Sequence, residues 1–585
     1  MRRTYTAWVV FSGAATAGCL SDLSYEHSYG RGRVPEVVDA RTATSTPPPL
    51  ALGPTLTQPD PPPPLSGGTL AVIDEREAIA ADPDRDLLYV VDHLDWKLLA
   101  TIPLERHDEP GRVAIDLEGR RAFVALRRGG AVVAIDLTTR KIASRVRVCP
   151  APRGVAWDAT TSSVLVVCAG GEMVTVDTTF TSVTSGVIGL PDLRDVVVTR
   201  EGPIVSTFRT AQLARVDASG VTTALPLPRL PTGTRRVAWR TFAAAPPPRS
   251  EDPEIVVVSQ QSGDRIVDQP AEYYGSAPDI GPGTVVHVGG DDVVISAVLP
   301  IDAAATEHEI TVVAAADRVT PLVHLGRTGR GRVYWSGTSS VIDTQITSVA
   351  YAGERLLALT REPAALLEVV RKGTSSFVAR ELPLSAVSRR DTGHDIFHID
   401  SGRGIACASC HPEGRDDGNS WRSVELGPRR TPSLVGTVAS TAPYHWNGEA
   451  ADMRALANLT FTSRMRGPSL DDDQTYALDH WLTRLPPLAA SPASDAAARG
   501  RALFDSERGK CSGCHTGPAR TNNQTVDVGT GGLFQVPSLV NASFRAPYLH
   551  DGTVGSIDEL VAHGHGANVL TPSEAADVAA YVRTF

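Results

Sequence analysis

The chain has 585 residues, a length at which two or three domains are expected. Its net charge of −10 is mildly acidic, aromatic residues are few, and glycine and proline are plentiful. A nucleic-acid binder normally needs a concentrated basic surface, so this composition argues against nucleic acid as a partner.

The first 19 residues have the pattern of an export signal. Arg2 and Arg3 form a short basic region, and an apolar or small stretch, 7–18, follows. This stretch is too short to span a bilayer as a helix, which favours a signal peptide. The segment ends in Thr-Ala-Gly-Cys and resembles the cleavage box of bacterial lipoproteins. The resemblance implies lipidation of Cys19; the alternative is a plain secretory signal. In both cases we expect export, to the periplasm or the outer membrane of a Gram-negative bacterium.

Residues 20–68 have the composition of a tether. Proline runs occur at 47–49 and 61–64, and such runs favour extended polyproline segments that bury little surface. Behind a lipid anchor, this spacer would hold a folded body away from the membrane.

Residues 69–378 read as an array of short β-strands. The segments Gly-Ala-Val-Val-Ala-Ile-Asp at 130–136 and Gly-Glu-Met-Val-Thr-Val-Asp at 171–177 are 41 residues apart. Short β-branched runs, turn residues and a period of about 40 predict an all-β propeller with four strands in each blade. Extrapolation gives six or seven blades, with an irregular insertion from about 242 to 285. This part resembles the YVTN-type β-propellers of exported bacterial proteins.

Two cysteines, Cys149 and Cys168, fall within one repeat of this array. Export makes a disulfide between them chemically feasible, because disulfides persist in oxidising compartments. The alternative is two buried free thiols that act as small apolar residues.

The C-terminal third contains two Cys-x-x-Cys-His motifs. This spacing is typical of c-type haem attachment, in which both thiols bind the porphyrin and the adjoining histidine ligates the iron. One motif alone could be a redox dithiol or half of a zinc site, but two copies in an exported chain favour two covalently bound haems c. The predicted thioether residues are Cys407, Cys410, Cys511 and Cys514, and the predicted proximal iron ligands are His411 and His515.

The region is a duplication of two units, 385–488 and 492–585. After each motif the tripeptides Pro-Ser-Leu and Ala-Pro-Tyr follow in the same order, beginning with Pro432 and Pro537. Each unit ends in a predicted helix, and the apolar positions of the two helices are 100 residues apart. We therefore expect two mainly α-helical cytochrome c units after the propeller.

The same offset predicts the distal iron ligands. Met465 and His565 occupy one position, five residues before a leucine, in the two copies. Methionine and histidine are usual ligands of c-type haem iron, and the chain has only four methionines. We predict Met465 at the first iron, with Met453 as the competing thioether, and His565 at the second, with His563 as the competing imidazole. An open or water-bound second iron is the remaining alternative.

Several polar residues near the motifs are expected to contact haem without ligating iron. His445 and His550 lie in the repeated turn but one position apart, so they are not equivalent. We expect both to hydrogen-bond to haem propionates or backbone. Arg429, Arg430 and Arg545 are candidates for binding the propionates, because guanidinium pairs well with carboxylate.

The order Cys-x-x-Cys-His, Pro-Ser-Leu, Ala-Pro-Tyr-Leu-His-Asp-Gly and terminal helix resembles the bacterial di-haem cytochrome c peroxidase and MauG family. The resemblance covers about residues 390–585, and the second unit matches better. In that family one haem accepts electrons and the other reacts with peroxide or a protein substrate. The methionine-ligated haem usually lies in the C-terminal unit. Here Met465 lies in the first unit, so the peroxidase roles are not transferred.

These features predict an exported di-haem c-type cytochrome that transfers electrons, with the propeller as a docking scaffold. A redox partner protein and a membrane contact through Cys19 are expected. One alternative is a di-haem peroxidase or MauG-like oxidase, which would need a vacant iron face and a nearby acid–base group. The other is a propeller-based binding protein that the haems serve.

Overall fold

The structure is a computed structural model. It describes residues 49–227, 234–244, 254–263, 283–288, 291–295, 299–313, 320–327, 333–342, 344–373, 375–402, 405–423, 426–562, 565 and 569–585. The predicted signal peptide with Cys19, the first part of the predicted tether, and His563 lie outside the described residues.

Residues 70–383 form a β-propeller. In the part of the chain that is described, seven four-stranded sheets lie here, each with its strands in chain order and antiparallel. The innermost strands of consecutive sheets contact one another, and the innermost strand of the last sheet contacts that of the first. The sheets therefore close into a ring of seven blades, which confirms the predicted propeller.

The blades begin with the innermost strand and end with the outermost one. The strands of blades 1 to 4 are β1 (Leu70–Val72), β2 (Glu77–Asp82), β3 (Leu87–Asp92), β4 (Lys97–Pro103), β5 (Pro110–Asp116), β6 (Arg121–Leu126), β7 (Ala131–Asp136), β8 (Lys141–Arg147), β9 (Pro152–Asp158), β10 (Ser163–Cys168), β11 (Glu172–Asp177), β12 (Val183–Val187), β13 (Leu193–Thr199), β14 (Gly202–Thr207), β15 (Leu213–Val216) and β16 (Thr222–Leu225). The strands of blades 5 to 7 are β17 (Thr234–Ala244), β18 (Glu254–Gly263), β19 (Gly283–Val288), β20 (Asp291–Ile295), β21 (Asp302–Ala305), β22 (Glu309–Val313), β23 (Thr320–Arg327), β24 (Val333–Ile342), β25 (Ile346–Ala352), β26 (Arg355–Thr360), β27 (Ala365–Lys372) and β28 (Ser375–Pro383).

The repeat found in the sequence corresponds to one strand position. The segments 130–136 and 171–177 contain β7 and β11, the third strands of blades 2 and 3. Each strand ends in an aspartate that caps the next turn: Asp136 accepts hydrogen bonds from two backbone N–H groups at 2.8 Å, and Asp177 accepts two at 2.9 and 3.0 Å. Aspartate at such a position satisfies turn N–H groups that have no ladder partner.

The predicted insertion from about 242 to 285 is wrong. β18 lies in this range and β19 begins in it; β18 pairs with both β17 and β19 as part of the fifth blade. The long connections between these strands obscure the period of about 40 that marks the other blades.

A disulfide joins Cys149, just after β8, to Cys168, the last residue of β10. It links blade 2 to blade 3, which resolves the choice between a disulfide and two free thiols.

Replacing both Cys149 and Cys168 with serine should lower the stability of the propeller. The disulfide closes a segment of 19 residues, and a cross-link of this length stabilises by about 3 kcal/mol, mainly through the unfolded chain. Calorimetry of the full-length protein should show a lower unfolding temperature. Wild-type protein unfolded in the presence of a thiol reductant should match the double variant; equal unfolding temperatures in all three samples would contradict the prediction.

The described part of the predicted tether packs on the protein. The Trp481 indole N–H donates to the Pro62 carbonyl at 2.9 Å, and the backbone N–H of Leu65 donates to His398 Nε2 at 3.2 Å. Leu52 and Leu65 are buried. The segment therefore lies against both the first C-terminal unit and the propeller, where Arg194 donates to the Ser66 hydroxyl.

The C-terminal region contains short helices and two small hairpins. Its elements are α1 (Thr392–His398), α2 (Cys407–Cys410), β29 (Ser420–Ser423), β30 (Gly427–Arg430), α3 (Met453–Ala457), a π-helical segment (Asn458–Arg464), α4 (Asp472–Thr483), α5 (Asp495–Phe504), β31 (Thr525–Asp527), β32 (Leu533–Gln535), α6 (Ile557–Ala562) and α7 (Pro572–Val582), with 3-10 turns at Pro412–Gly414, Cys511–Gly513 and Ala542–Phe544. More than half of the described residues here lie outside helices and strands, so the expectation of mainly α-helical units is not confirmed. No helix among the described residues is long and apolar enough to cross a membrane.

The duplication is visible in the helix packing. α1 packs on α4 in the first unit, and α5 packs on α7 in the second. At each crossing a glycine faces the partner backbone: a Cβ atom on Gly393 would clash with the Ala477 carbonyl, and one on Gly500 with the Asp577 carbonyl. Only glycine allows such close backbone approach, so both units use the same helix crossing.

Candidate functional site

Each Cys-x-x-Cys-His motif opens into its own cavity. The first cavity, about 280 Å³, is lined by Cys407, Cys410 and His411 together with both candidate methionines. The second, about 200 Å³, has a lining that includes Cys511, Cys514, His515 and His565. Both cavities are mainly apolar, which is the usual character of a site for a large organic group.

The four motif cysteines are free thiols in the structure. Burial raises the pKa of the Cys407 thiol to about 12 and that of the Cys511 thiol to about 11. A redox dithiol needs a thiol pKa near or below neutral pH. The surroundings of these cysteines therefore disfavour the redox-dithiol alternative.

The two motif histidines are oriented alike. Nδ1 of His411 lies 3.1 Å from the Arg415 carbonyl oxygen, and Nδ1 of His515 lies 3.2 Å from the Arg520 carbonyl oxygen. A carbonyl only accepts, so Nδ1 carries the proton and Nε2 keeps its lone pair. Burial lowers the pKa of both rings to about 4, so both are neutral at pH 7. Metal-ligating histidines are typically oriented by a hydrogen bond of this kind, donated by the ring nitrogen that does not bind the metal.

The structure brings His565 opposite His515 in the second cavity. The two ring centres are 6.5 Å apart, and the rings are tilted by 35°. Two imidazoles sharing one metal, with metal–nitrogen bonds of roughly 2.0 Å, would have ring centres about 6.3 Å apart. Burial lowers the pKa of His565, which favours the neutral, ligating form. The separation of the two rings fits two imidazoles that would hold one metal ion between them.

Two methionines reach the first cavity. Met465 follows the π-helical segment, is 3% exposed, and is fixed through its backbone: its N–H donates to the Thr460 carbonyl, and its carbonyl accepts from the Ser401 hydroxyl, both at 2.9 Å. Met453 begins α3 and is 6% exposed. Both thioethers line the cavity, and the duplication alone favours Met465, so its assignment over Met453 stays a prediction.

The two cavities share a wall. The residues that line both are Arg430, Pro432, Ser433, Trp446, Gln535, Val536, Pro537 and Arg545. The Trp446 indole N–H donates to the Arg430 carbonyl at 2.7 Å, and its ring lies edge-on to His550 at 6.4 Å. His550 in turn stacks on Phe534 at 3.8 Å. Sequence reasoning missed Trp446, because only the packing of one unit on the other brings it between the cavities.

Buried positive charge lies in this wall. Arg430 pairs with Asp416 at 2.7 Å. Arg545 donates to the Ser538 carbonyl, and among the described residues no carboxylate lies within ion-pair distance of it. Burial lowers the pKa of Arg545 to about 10. Arg545 is half-buried, and a partly desolvated cation without a counter-ion is costly, so this wall fits an anionic group such as haem propionates. Arg429 also lines the first cavity.

The repeated turns show how the two predicted histidines differ. His445 has a positive φ of 70°, and so does Leu549, at 68°. Leu549 is therefore the equivalent of His445, and His550 is the equivalent of Trp446, in agreement with the sequence. Nδ1 of His445 lies 2.8 Å from Glu449 Oε1, and its Nε2 is 3.4 Å from the Thr460 hydroxyl.

The fold and the motifs define a β-propeller protein with two adjoining Cys-x-x-Cys-His cavities at its C-terminal end. No protein-family model matches the chain. Methylamine utilization protein MauG from Methylorubrum extorquens is 24% identical, over 27% of this chain and 62% of that protein, so the chain spans less than two thirds of this relative's length.

Two solved structures resemble the chain at low TM-scores. They are Kuenenia stuttgartiensis hydrazine synthase, at 13% identity, TM-score 0.41, covering 56% of this chain and 100% of that chain, and virginiamycin B lyase from Staphylococcus aureus, at 11% identity, TM-score 0.38, covering 52% and 94%. Scores this low carry no argument about function.

Proposed function

We propose that the chain is an exported di-haem c-type cytochrome that transfers electrons between two covalently bound haems. The observation that carries this proposal is that each Cys-x-x-Cys-His motif opens into its own cavity and that the two cavities share a wall. Redox groups bound in cavities that share a wall would be neighbours. The weak similarity to MauG points to the same class of chemistry.

The residues divide into two cytochrome units, 385–488 and 492–585. In the first, Cys407 and Cys410 would attach the haem, and His411 and Met465 would ligate its iron. In the second the thioether residues are Cys511 and Cys514, and the iron ligands are His515 and His565. When bound, haem iron accepts and donates one electron at a time. Arg430 and Arg545 would hold the propionates in the shared wall.

The two centres would differ in reduction potential, and this difference would set the direction of electron transfer. Methionine–histidine ligation raises a haem potential, whereas two histidines lower it. An electron would therefore move downhill from the second centre to the first. The ring of Trp446, between the cavities, supplies a polarisable path for it.

The same proposal includes export and two partners. A disulfide between Cys149 and Cys168 is in keeping with an oxidising compartment. Lipidated Cys19 would anchor the protein at a Gram-negative membrane, in or facing the periplasm, and a redox protein would donate or accept electrons.

The proposal is tested by producing the full-length protein with c-type maturation machinery and recording its intact mass and optical spectrum. We expect a mass increase of two haems and a low-spin spectrum that peroxide does not change. Apoprotein from this system would refute the haem proposal. A high-spin haem that turns over peroxide would refute pure electron transfer.

A second candidate, a peroxidase or MauG-like oxidase, is favoured by one observation. Peroxide chemistry needs an acid–base group beside the iron, and His445 lines the first cavity with Glu449 hydrogen-bonded to its Nδ1. Such a pair is suited to moving protons. It would act only with Met465 displaced from the iron, so methionine ligation and peroxide turnover are opposing outcomes of the test.

Replacing Met465 with alanine should abolish the methionine–iron charge-transfer band at the red end of the oxidised spectrum, because the thioether ligand is lost. The first haem should then become high-spin or bind added imidazole. Met453→Ala is the matched control: it removes the competing thioether from the same cavity and should keep the band. A band that survives in Met465→Ala and vanishes in Met453→Ala would reverse the assignment.

A further inference from the structure

The loop that follows the first motif lies against the propeller. Residues 412–417 read Pro-Glu-Gly-Arg-Asp-Asp, whereas the second motif is followed at 516–521 by Thr-Gly-Pro-Ala-Arg-Thr, which has no carboxylate. The acidic version occurs only in the unit that contacts the propeller through this loop. The difference between otherwise duplicated units suggests a role for the loop that is specific to the first centre.

Three propeller arginines converge on one carboxylate of this loop. Glu413 Oε1 lies 2.6 Å from Arg194 Nη1 and 3.5 Å from Arg127 Nη1, and Glu413 Oε2 lies 3.7 Å from Arg153 Nη2. The arginines come from blades 4, 2 and 3, in that order. The Arg194 side chain is only 2% exposed and that of Glu413 11%. In such surroundings charges interact more strongly than at a solvated surface.

The same loop holds the first motif histidine. Arg415, two residues after Glu413, provides the carbonyl that accepts from His411 Nδ1. Glu413 itself has a left-handed backbone, with φ of 55°, a conformation that costs a non-glycine residue energy unless its surroundings hold it. The ion pairs between Glu413 and the propeller arginines stabilise this backbone conformation.

Two more contacts tie the motif to the propeller. Gln260 Nε2, on β18, donates to the carbonyl of Ser409, inside the Cys-x-x-Cys segment, at 2.6 Å. Arg209, just after β14, pairs with Asp416 at 3.1 Å, and Asp416 also pairs with Arg430 in the wall between the cavities. Ion pairs thus run from propeller blades to both sides of the first cavity.

We propose that the propeller is part of the first haem site and that its arginines, acting through the loop 412–417, set the reduction potential of the first haem. This inference rests on the proposed function. Reduction adds negative charge to the centre, so a nearby carboxylate opposes it and a nearby guanidinium favours it. Glu413 and Arg194 are positioning and tuning residues, since neither touches the reacting iron.

The test is a spectroelectrochemical titration of the full-length, haem-loaded protein and two variants. Glu413→Gln removes a negative charge and should raise the first potential. Arg194→Gln removes a positive charge and should lower it. We expect each variant to change the electron-acceptance equilibrium at least tenfold, which corresponds to about 59 mV for one electron. The first centre is identified as the potential that disappears when Cys407 and Cys410 are replaced with alanine.

Opposite shifts in the two variants distinguish charge tuning from a general disturbance of the loop. A loosened loop would shift the first potential in the same direction in both variants. Arg194→Lys keeps the charge and should stay near wild type. The matched control is Glu77→Gln: the Glu77 side chain is 10% exposed and pairs with Arg120 and Arg140, all within the propeller, and its loss should leave both potentials unchanged.

Each other result overturns the inference. Shifts of the same sign, or below tenfold, would show that the propeller does not set the potential of the haem. Loss of the first haem alone in either charge variant would show that the network serves assembly and not potential. A wild-type protein without haem would instead refute the proposed function, so the two failures are distinguishable.

Discussion

Replacing Cys511 and Cys514 with alanine should leave a protein that carries one haem instead of two. Both thiols line the second cavity beside His515, and covalent attachment requires them. The first cavity keeps its own cysteines, so we expect covalent haem per chain to fall by half, read from the intact mass and from the haem absorbance relative to protein. The remaining spectrum should be that of the methionine–histidine centre.

The chain offers a matched control for this experiment. Cys149 and Cys168 are the described cysteine pair outside the two motifs, and they form a disulfide in the propeller. Replacing both with alanine should leave two haems per chain. A protein that still binds two haems after loss of Cys511 and Cys514 would contradict covalent attachment at the second motif.

Much of the propeller could be predicted from the sequence because its repeats are local. The segments at 130–136 and 171–177 take one strand position in successive blades, and the period follows directly from four short strands and their turns. The fifth blade was misread because the connection 245–253 is rich in proline and the next connection, 264–282, is long. The repeat period cannot be recognised in the sequence where the loops between strands are long, although the strands themselves are ordinary.

The candidate site, like the propeller, could be predicted from the sequence only in part. Duplication within the sequence placed Met465 and His565 at the motif cavities, since equivalent positions in two copies fold alike. Trp446 and Glu413 escaped prediction because their roles depend on contacts between units and between domains. The helical content was overestimated: the terminal helices α4 and α7 have clear apolar periodicity, but the residues between each motif and its terminal helix are mostly loops that line a cavity.

Replacing His565 with alanine should convert the second centre from low-spin to high-spin. In the structure this imidazole faces His515 with ring centres 6.5 Å apart, so its removal would open the sixth position of a bound iron. We expect nearly all of the second haem to lose its low-spin spectrum and added imidazole to restore it. The second potential should rise, because one of two histidine ligands is gone.

His550→Ala is the control for this variant. His550 also lines the second cavity, but it stacks on Phe534 and is not the ring that faces His515, so its loss should leave the spin state unchanged. A low-spin spectrum that persists in His565→Ala would show that another group, with His563 the first to test, ligates the iron. Imidazole rescue in His565→Ala alone would establish that the second centre has two histidine ligands. The downhill path to the first centre depends on that ligation, since two methionine-ligated centres would have no built-in direction.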